Sequence, residues 1–264
     1  MGKQLLAIES FKIELGEGLF LKGEVKTVED GAAKPVLVVS HGFRGHKDWG
    51  FWPDVTSRFA EQGFYTVSFD FSRIGARNEG LDERIAAAAS TVSRELLDLE
   101  ALVARLREEG LPLAGQADPE RLAILGHSRS GGSSIIYASE HSEVRAVVVW
   151  NGGAVPNRPE TAPGQVLTLQ EQAILADVDS NEERYDIAGK FASLTVPALL
   201  VQGAQDNERL LTQNWLLQDV APKQHFVSIA GGNHTFGAVD PYEGTTHQLD
   251  EAVEATVQFL KQAY

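Results

Sequence analysis

The segment Leu122-Ala123-Ile124-Leu125-Gly126-His127-Ser128-Arg129-Ser130-Gly131-Gly132-Ser133 places a hydroxyl where it could act as a nucleophile. It reads as an apolar strand, a tight turn centred on Ser128, and a glycine pair opening a helix. Such a turn needs small residues two before and about two after the serine, because bulky neighbours would clash with the adjoining strand and helix. The turn would hold the hydroxyl out at a sheet edge, where the helix N-terminus favours negative charge. A serine is a poor nucleophile until a base takes its proton, and the base needs a third group to fix its tautomer. Two later loops carry those residue types, each after a short apolar run. Pro197–Val201 leads into Gln202-Gly203-Ala204-Gln205-Asp206, and His225–Ile229 leads into Ala230-Gly231-Gly232-Asn233-His234. Asp206 and His234 are the candidate acid and base. Glu208 is the alternative acid, and His225 and His247 are the alternative bases. Singly, a helix-capping serine, a turn-forming aspartate and an exposed loop histidine are ordinary. Jointly, each after its own strand, they form a constellation.

The Ser128 segment resembles the Gly-x-Ser-x-Gly nucleophile elbow of α/β-hydrolase serine enzymes, with Ser130 at the fifth position and the glycines following at 131 and 132. The loops carrying Asp206 and His234 are similar to that family's acid and histidine loops, and the order serine, acid, histidine is the family's order. Val36-Leu37-Val38-Val39-Ser40-His41-Gly42-Phe43 looks like its early strand ending in a His-Gly turn. The resemblance implies a triad of Ser128, His234 and Asp206. It also implies an oxyanion hole made of the Phe43 and Arg129 amides, with Gly42 allowing close backbone approach and His41 bracing the loop. Among branches, the chain is most similar to small-cap esterases and acyl-peptidase-like enzymes, through His41-Gly42-Phe43 and the exit Phe69-Asp70-Phe71-Ser72. An aspartate-based dehalogenase does not fit Ser128, and the chain has no cysteine for a thiol mechanism.

The elements that must position these residues are visible as changes of period. Phe11, Ile13 and Leu15, then Gly16-Glu17-Gly18, then Leu19 to Val25 predict an antiparallel hairpin. After it, apolar runs at 36–40, 65–69, 122–125, 144–150, 198–201 and 225–229 lack alternation, as in strands buried on both faces. Helical stretches at 54–62, 91–109, 133–139, 210–220 and 249–264 lie between them. The pattern predicts an α/β fold: a mostly parallel, doubly wound sheet of about eight strands with an N-terminal antiparallel hairpin. Residues 1–264 read as one α/β-hydrolase domain. The irregular stretch 151–193, with prolines at 156, 159 and 163, reads as a small cap insertion over the edge where such sheets bind ligands.

A net charge of −14, from 37 acidic and 23 basic residues, repels nucleic acid and anionic membranes. Met1-Gly2-Lys3-Gln4-Leu5-Leu6 begins no apolar leader, and no run is long enough to span a bilayer. A cytoplasmic enzyme needing no metal or cofactor is expected; His41 and His46 lack the spacing and third ligand of a metal site. The expected reaction is hydrolysis of a small-molecule ester, or alternatively of a short peptide by an aminopeptidase or acyl-peptidase with the same triad. A catalytically silent binding scaffold is the remaining alternative. Trp49, with Phe51 and Trp52, reads either as core packing or as an acyl-pocket wall. Arg44, Lys47, Arg73, Arg77 and Arg129 gather near the site. Arg44 and Arg73 are candidate contacts for an anionic substrate group, unless the cluster pairs with Asp48, Asp70, Glu79 or Asp82.

Overall fold

Alternating apolar residues followed by a glycine turn fold the start of the chain back on itself. Strand β1 (Leu6–Gly16) pairs antiparallel with β2 (Leu19–Val28) around Glu17 and Gly18. The computed structural model describes residues 5–160 and 164–264. Residues 1–4, at the head of the segment read for a leader, and Pro163 lie outside them.

Six further strands follow: β3 (Lys34–Ser40), β4 (Tyr65–Asp70), β5 (Ala117–His127), β6 (Val144–Trp150), β7 (Ala198–Gly203) and β8 (His225–Ile229). Among the described residues they form one 8-stranded sheet of order β1-β2-β4-β3-β5-β6-β7-β8. β2 meets β4 antiparallel, and every pairing from β4 through β8 is parallel. The runs without alternation have a direct explanation. Along β3, Val36 and Val38 enter one hydrophobic cluster while Leu37 and Val39 enter another on the opposite face. Helices α1 (Trp52–Glu61) and α9 (His247–Ala263) cover the second cluster. Helices α4 (Val92–Arg107), α5 (Arg129–Glu140), α7 (Ile187–Ala192) and α8 (Glu208–Val220) cover the first.

Four α-helices have no counterpart in the sequence reading, α7 within the 151–193 stretch among them. α2 (Ser72–Asn78) and α3 (Glu83–Ala88) follow β4, and α6 (Leu169–Ser180) lies within the 151–193 stretch. α6 buries none of its residues and rests on α3 and α4. It is held by Asp177, which accepts from the Val92 and Ser93 amides at the N-terminus of α4, at 3.0 and 3.3 Å, and from the Tyr185 hydroxyl at 2.9 Å. α7, by contrast, belongs to the body of the sheet, with Ile187 and Phe191 fully buried beside α5 and α8. No helix of the described residues is long and apolar enough to cross a membrane.

Candidate active site

β5 ends at His127 and α5 begins at Arg129, so the backbone must reverse within one residue. Ser128 does this at φ 59°, ψ −124°, a conformation that costs a non-glycine residue about 1–3 kcal/mol and persists only when its surroundings enforce it. They do so here by hydrogen bonds on both sides. The Ser128 amide donates to the Trp150 carbonyl at 2.9 Å, and its carbonyl accepts from the Gly131 amide at 3.0 Å. A side chain at Gly126 would collide with the Ser130 carbonyl oxygen, which explains the small residue two positions before the serine. Ser130, in the place where the elbow pattern has glycine, is fully buried and uses its hydroxyl. Its Oγ donates to the His41 carbonyl and lies 3.3 Å from the Ser40 carbonyl, tying the elbow to the end of β3.

The two later loops bring Asp206 and His234 to the same edge. His234 Nε2 is 2.9 Å from Ser128 Oγ, and His234 Nδ1 is 2.9 and 3.1 Å from the two Asp206 carboxylate oxygens. Asp206 is held in turn by the Asn207 amide at 2.7 Å and the Gln202 side chain at 3.0 Å. Burial pushes its carboxyl upward, but the hydrogen bond and charge of His234 and the other donors outweigh this. The net shift is below the usual carboxylate value. An ionised Asp206 places the proton on His234 Nδ1, leaving Nε2 free to accept from the serine hydroxyl. The alternative residues are elsewhere: His225 and Glu208 are exposed, and His247 pairs with Glu251 at 3.1 Å.

Two further residues shape this constellation and carry no local sequence signal. Asn151, fully buried just after β6, donates to the His234 and Asn233 carbonyls at 3.0 and 3.2 Å and accepts from the Gly203 amide at 2.6 Å. One amide therefore joins the acid loop to the histidine loop. His127 donates from Nε2 to the same His234 carbonyl at 2.9 Å. Burial, and then the neighbouring His234, lower the pKa of His127 to about 4.

The expected oxyanion residues flank the serine from both sides. A side chain on Gly42 would meet Ser128 Cβ at 3.0 Å, so the loop after β3 comes as close to the serine as backbone can. Phe43 and Arg129 line a cavity of about 700 Å³ together with Ser128 and His234. Trp49 lines it too, whereas Phe51 is core, so the aromatic segment divides between the two expected roles. Trp52 serves both. Ile136, Ile174, Val178 and Ile187 form an aliphatic part of the wall. Arg44 is exposed on the cavity wall.

The structure corrects the reading of Arg73 as a substrate contact. Its guanidinium is 2% exposed, lies outside the cavity lining and pairs with Glu95 at 2.6 Å. Arg129 shares that carboxylate, with Nε 3.0 Å from the same oxygen, and the Ser133 hydroxyl donates to the other oxygen at 2.6 Å. Glu95, on α4, is the partner that the sequence reading missed, although its spacing to Leu99, Leu102 and Leu106 puts it on the buried face of the helix. Its own burial raises its carboxyl, but the Arg129 and Arg73 charges prevail and hold it below the usual range. Lys47 pairs with Glu24 and Asp48 at 2.8 and 2.6 Å, and Arg77 is exposed. Among the described residues no cluster of histidine and carboxylate side chains fits a metal ion.

Comparison with known proteins agrees with this architecture. The model of the Dienelactone hydrolase family matches residues 24–264. A putative carboxymethylenebutenolidase of Methylorubrum extorquens is 25% identical, over 78% of this chain and 79% of that protein. The structure of Est1E from Butyrivibrio proteoclasticus has a TM-score of 0.70 at 17% identity, covering 96% of this chain and 98% of that one. A dienelactone hydrolase from Anabaena variabilis has a TM-score of 0.64 at 18% identity, with 97% and 98% covered. With the family model spanning all of the parallel sheet and the loops at its edge, the chain belongs to the Dienelactone hydrolase family of α/β hydrolases.

Proposed function

We propose that the chain is a serine hydrolase that cleaves carboxylic esters through an acyl-enzyme. One observation carries this reading: the unbroken hydrogen-bonded line Asp206–His234–Ser128, ending in a cavity that Phe43 and Arg129 also line. Ser128 Oγ attacks the ester carbonyl while His234 Nε2 takes its proton. The carbonyl oxygen becomes an alkoxide that the Phe43 and Arg129 amides stabilise. The C–O bond to the alcohol then breaks, and His234 returns the proton to the leaving oxygen. Water, deprotonated by the same nitrogen, releases the acid and restores the serine hydroxyl.

The whole chain acts as one catalytic domain, and the 151–193 stretch contributes α6 as a small cap over the aliphatic wall. The family supports a hydrolase, and a serine at the elbow replaces any cysteine-based chemistry because the chain contains no cysteine. The structure of Est1E with ferulic acid bound adds an ester of a hydroxycinnamic acid to the substrates worth including.

The test combines a fluorophosphonate probe with a panel of p-nitrophenyl esters and aminoacyl-p-nitroanilides. The wild type should take up one probe at Ser128 and turn over the esters. Ser128→Ala should lower kcat by a factor on the order of 10⁶ with the fold intact. Probe attached at Ser130, undiminished turnover by Ser128→Ala, or hydrolysis of anilides alone would overturn the assignment.

A further inference from the structure

The Gly42 carbonyl oxygen accepts three hydrogen bonds. They come from His41 Nδ1 at 2.8 Å, from Arg73 Nη2 at 3.0 Å and from the Gly45 amide at 3.1 Å. Burial, followed by the charge of Arg73, keeps His41 neutral well below the ordinary histidine value. Its Nε2 accepts from the Phe71 amide at 3.4 Å, so the ring proton sits on Nδ1 and points at Gly42. That carbonyl shares one planar peptide unit with the Phe43 N–H, and in a trans peptide the two bonds point in opposite directions. Whatever fixes the Gly42 oxygen therefore aims the Phe43 N–H.

Fixing the oxygen also strengthens the donor. A carbonyl that accepts a charge-assisted bond and two others is polarised, and its N–H becomes a better hydrogen-bond donor. Arg73 grips the next carbonyl as well, with Nε 3.4 Å from the Phe43 oxygen. Two guanidiniums contact the Phe43 ring, with Arg129 Cζ 4.1 Å and Arg73 Cζ 5.4 Å from its centroid. Both guanidiniums share the fully buried Glu95. Only Arg73 reaches Gly42, and Arg129 supplies the second proposed amide. Glu95 thus connects the two halves of the hole through α4.

We infer that Arg73, anchored by Glu95, is a positioning residue that aims and polarises the Phe43 amide toward the oxyanion. The inference rests on the serine-hydrolase reading, and it predicts that the Arg73 contact is expressed in the transition state. Arg73→Met leaves Glu95 paired with Arg129, so it should fold. It should lower kcat on p-nitrophenyl acetate by about 10- to 100-fold, below the full loss of an oxyanion donor, with KM little changed. Affinity for an alkyl trifluoromethyl ketone, whose serine adduct places an alkoxide in the hole, should fall by the same factor. Arg73→Lys, which keeps the charge but not the fork, should recover only part of both. Rates are referred to active sites counted by fluorophosphonate, so a folding defect would lower the count and leave kcat unaltered.

An unchanged kcat and ketone affinity per active site in Arg73→Met overturns the inference, provided that wild-type activity depends on Ser128. Activity that survives Ser128→Ala instead overturns the serine-hydrolase reading itself. Should neither Arg73 variant fold, the wild type decides. The Phe43 amide proton should shift downfield on forming the ketone adduct, and an unmoved resonance would reject its role as the aimed donor.

Discussion

At the scale of single residues, the site depends on buried side chains that bridge separate loops. Asn151 bridges four backbone and side-chain groups while holding φ at 46°, a value that asparagine tolerates better than alanine. Asn151→Ala should lower stability by about 2–4 kcal/mol in urea unfolding, since several buried polar groups lose their partner. By loosening His234 it should also lower kcat up to about 100-fold. His127 makes a second prediction. Its folded pKa of about 4 lies below the ordinary histidine value of 6.5, so the unfolded chain binds the proton more readily. Its contribution to stability is complete above pH 6.5 and is lost as pH falls through about 4, a change of about 3 kcal/mol. Urea midpoints should drop across that window, and His127→Gln, which can still donate to His234, should flatten the drop. Ser128, Asp206 and His234 were legible in the sequence because each follows its own apolar strand run. Asn151 and His127 were not, because their roles are defined by loops distant along the chain.

At the scale of elements, strands were easier to read than helices. Residues buried on both faces make unbroken apolar runs, whereas α6 buries no residue and so leaves no apolar stripe. α6 had a different signal, overlooked among the prolines: Thr168 and Glu171 form a capping box, with both reciprocal hydrogen bonds present. α2 and α3 are 7 and 6 residues long, too short for a period to emerge. The dependence of α6 on polar contacts makes Asp177 its weak point. Asp177→Ala removes the acceptor for two amides at the start of α4 and for Tyr185. Limited proteolysis should then cut within Leu169–Ser180 at least several-fold faster. KM for esters with long aliphatic acyl groups should rise because Ile174 and Val178 lose their place on the wall, while p-nitrophenyl acetate should be nearly unaffected. Equal protease resistance in the variant would mean that other contacts hold the helix.

At the scale of the whole molecule, charge pairing changes what the basic cluster can do. The net charge of −14 made five basic residues near the site conspicuous, yet Arg73 and Arg129 share Glu95 and Lys47 has two carboxylates. Glu95 lies on the buried stripe of an amphipathic helix, in helical register with Leu99, Leu102 and Leu106, and its charge is met there by partners from two other segments. Arg129→Gln should therefore slow a neutral aryl ester and a carboxylate-bearing analogue by the same factor. Any preference for the anionic ester should instead disappear in Arg44→Gln and weaken as salt is raised. A selective effect of Arg129→Gln on the anionic ester would return that residue to substrate binding.

Ser128 and His234 are 106 residues apart in the chain, and their strands, β5 and β8, are separated in the sheet by β6 and β7. During synthesis the sheet can therefore begin to assemble from its centre long before His234 arrives. A nascent or half-refolded chain carries the serine, the loop at Gly42 and much of the core, but has no proton acceptor beside the hydroxyl. On the proposed mechanism, ester hydrolysis begins only when the last strand has docked and its loop has closed back over the centre, and so serves as a completion signal. In refolding from urea, fluorophosphonate reactivity should return together with ester hydrolysis, and no earlier than the packing of Trp150 against Phe236 and Thr256.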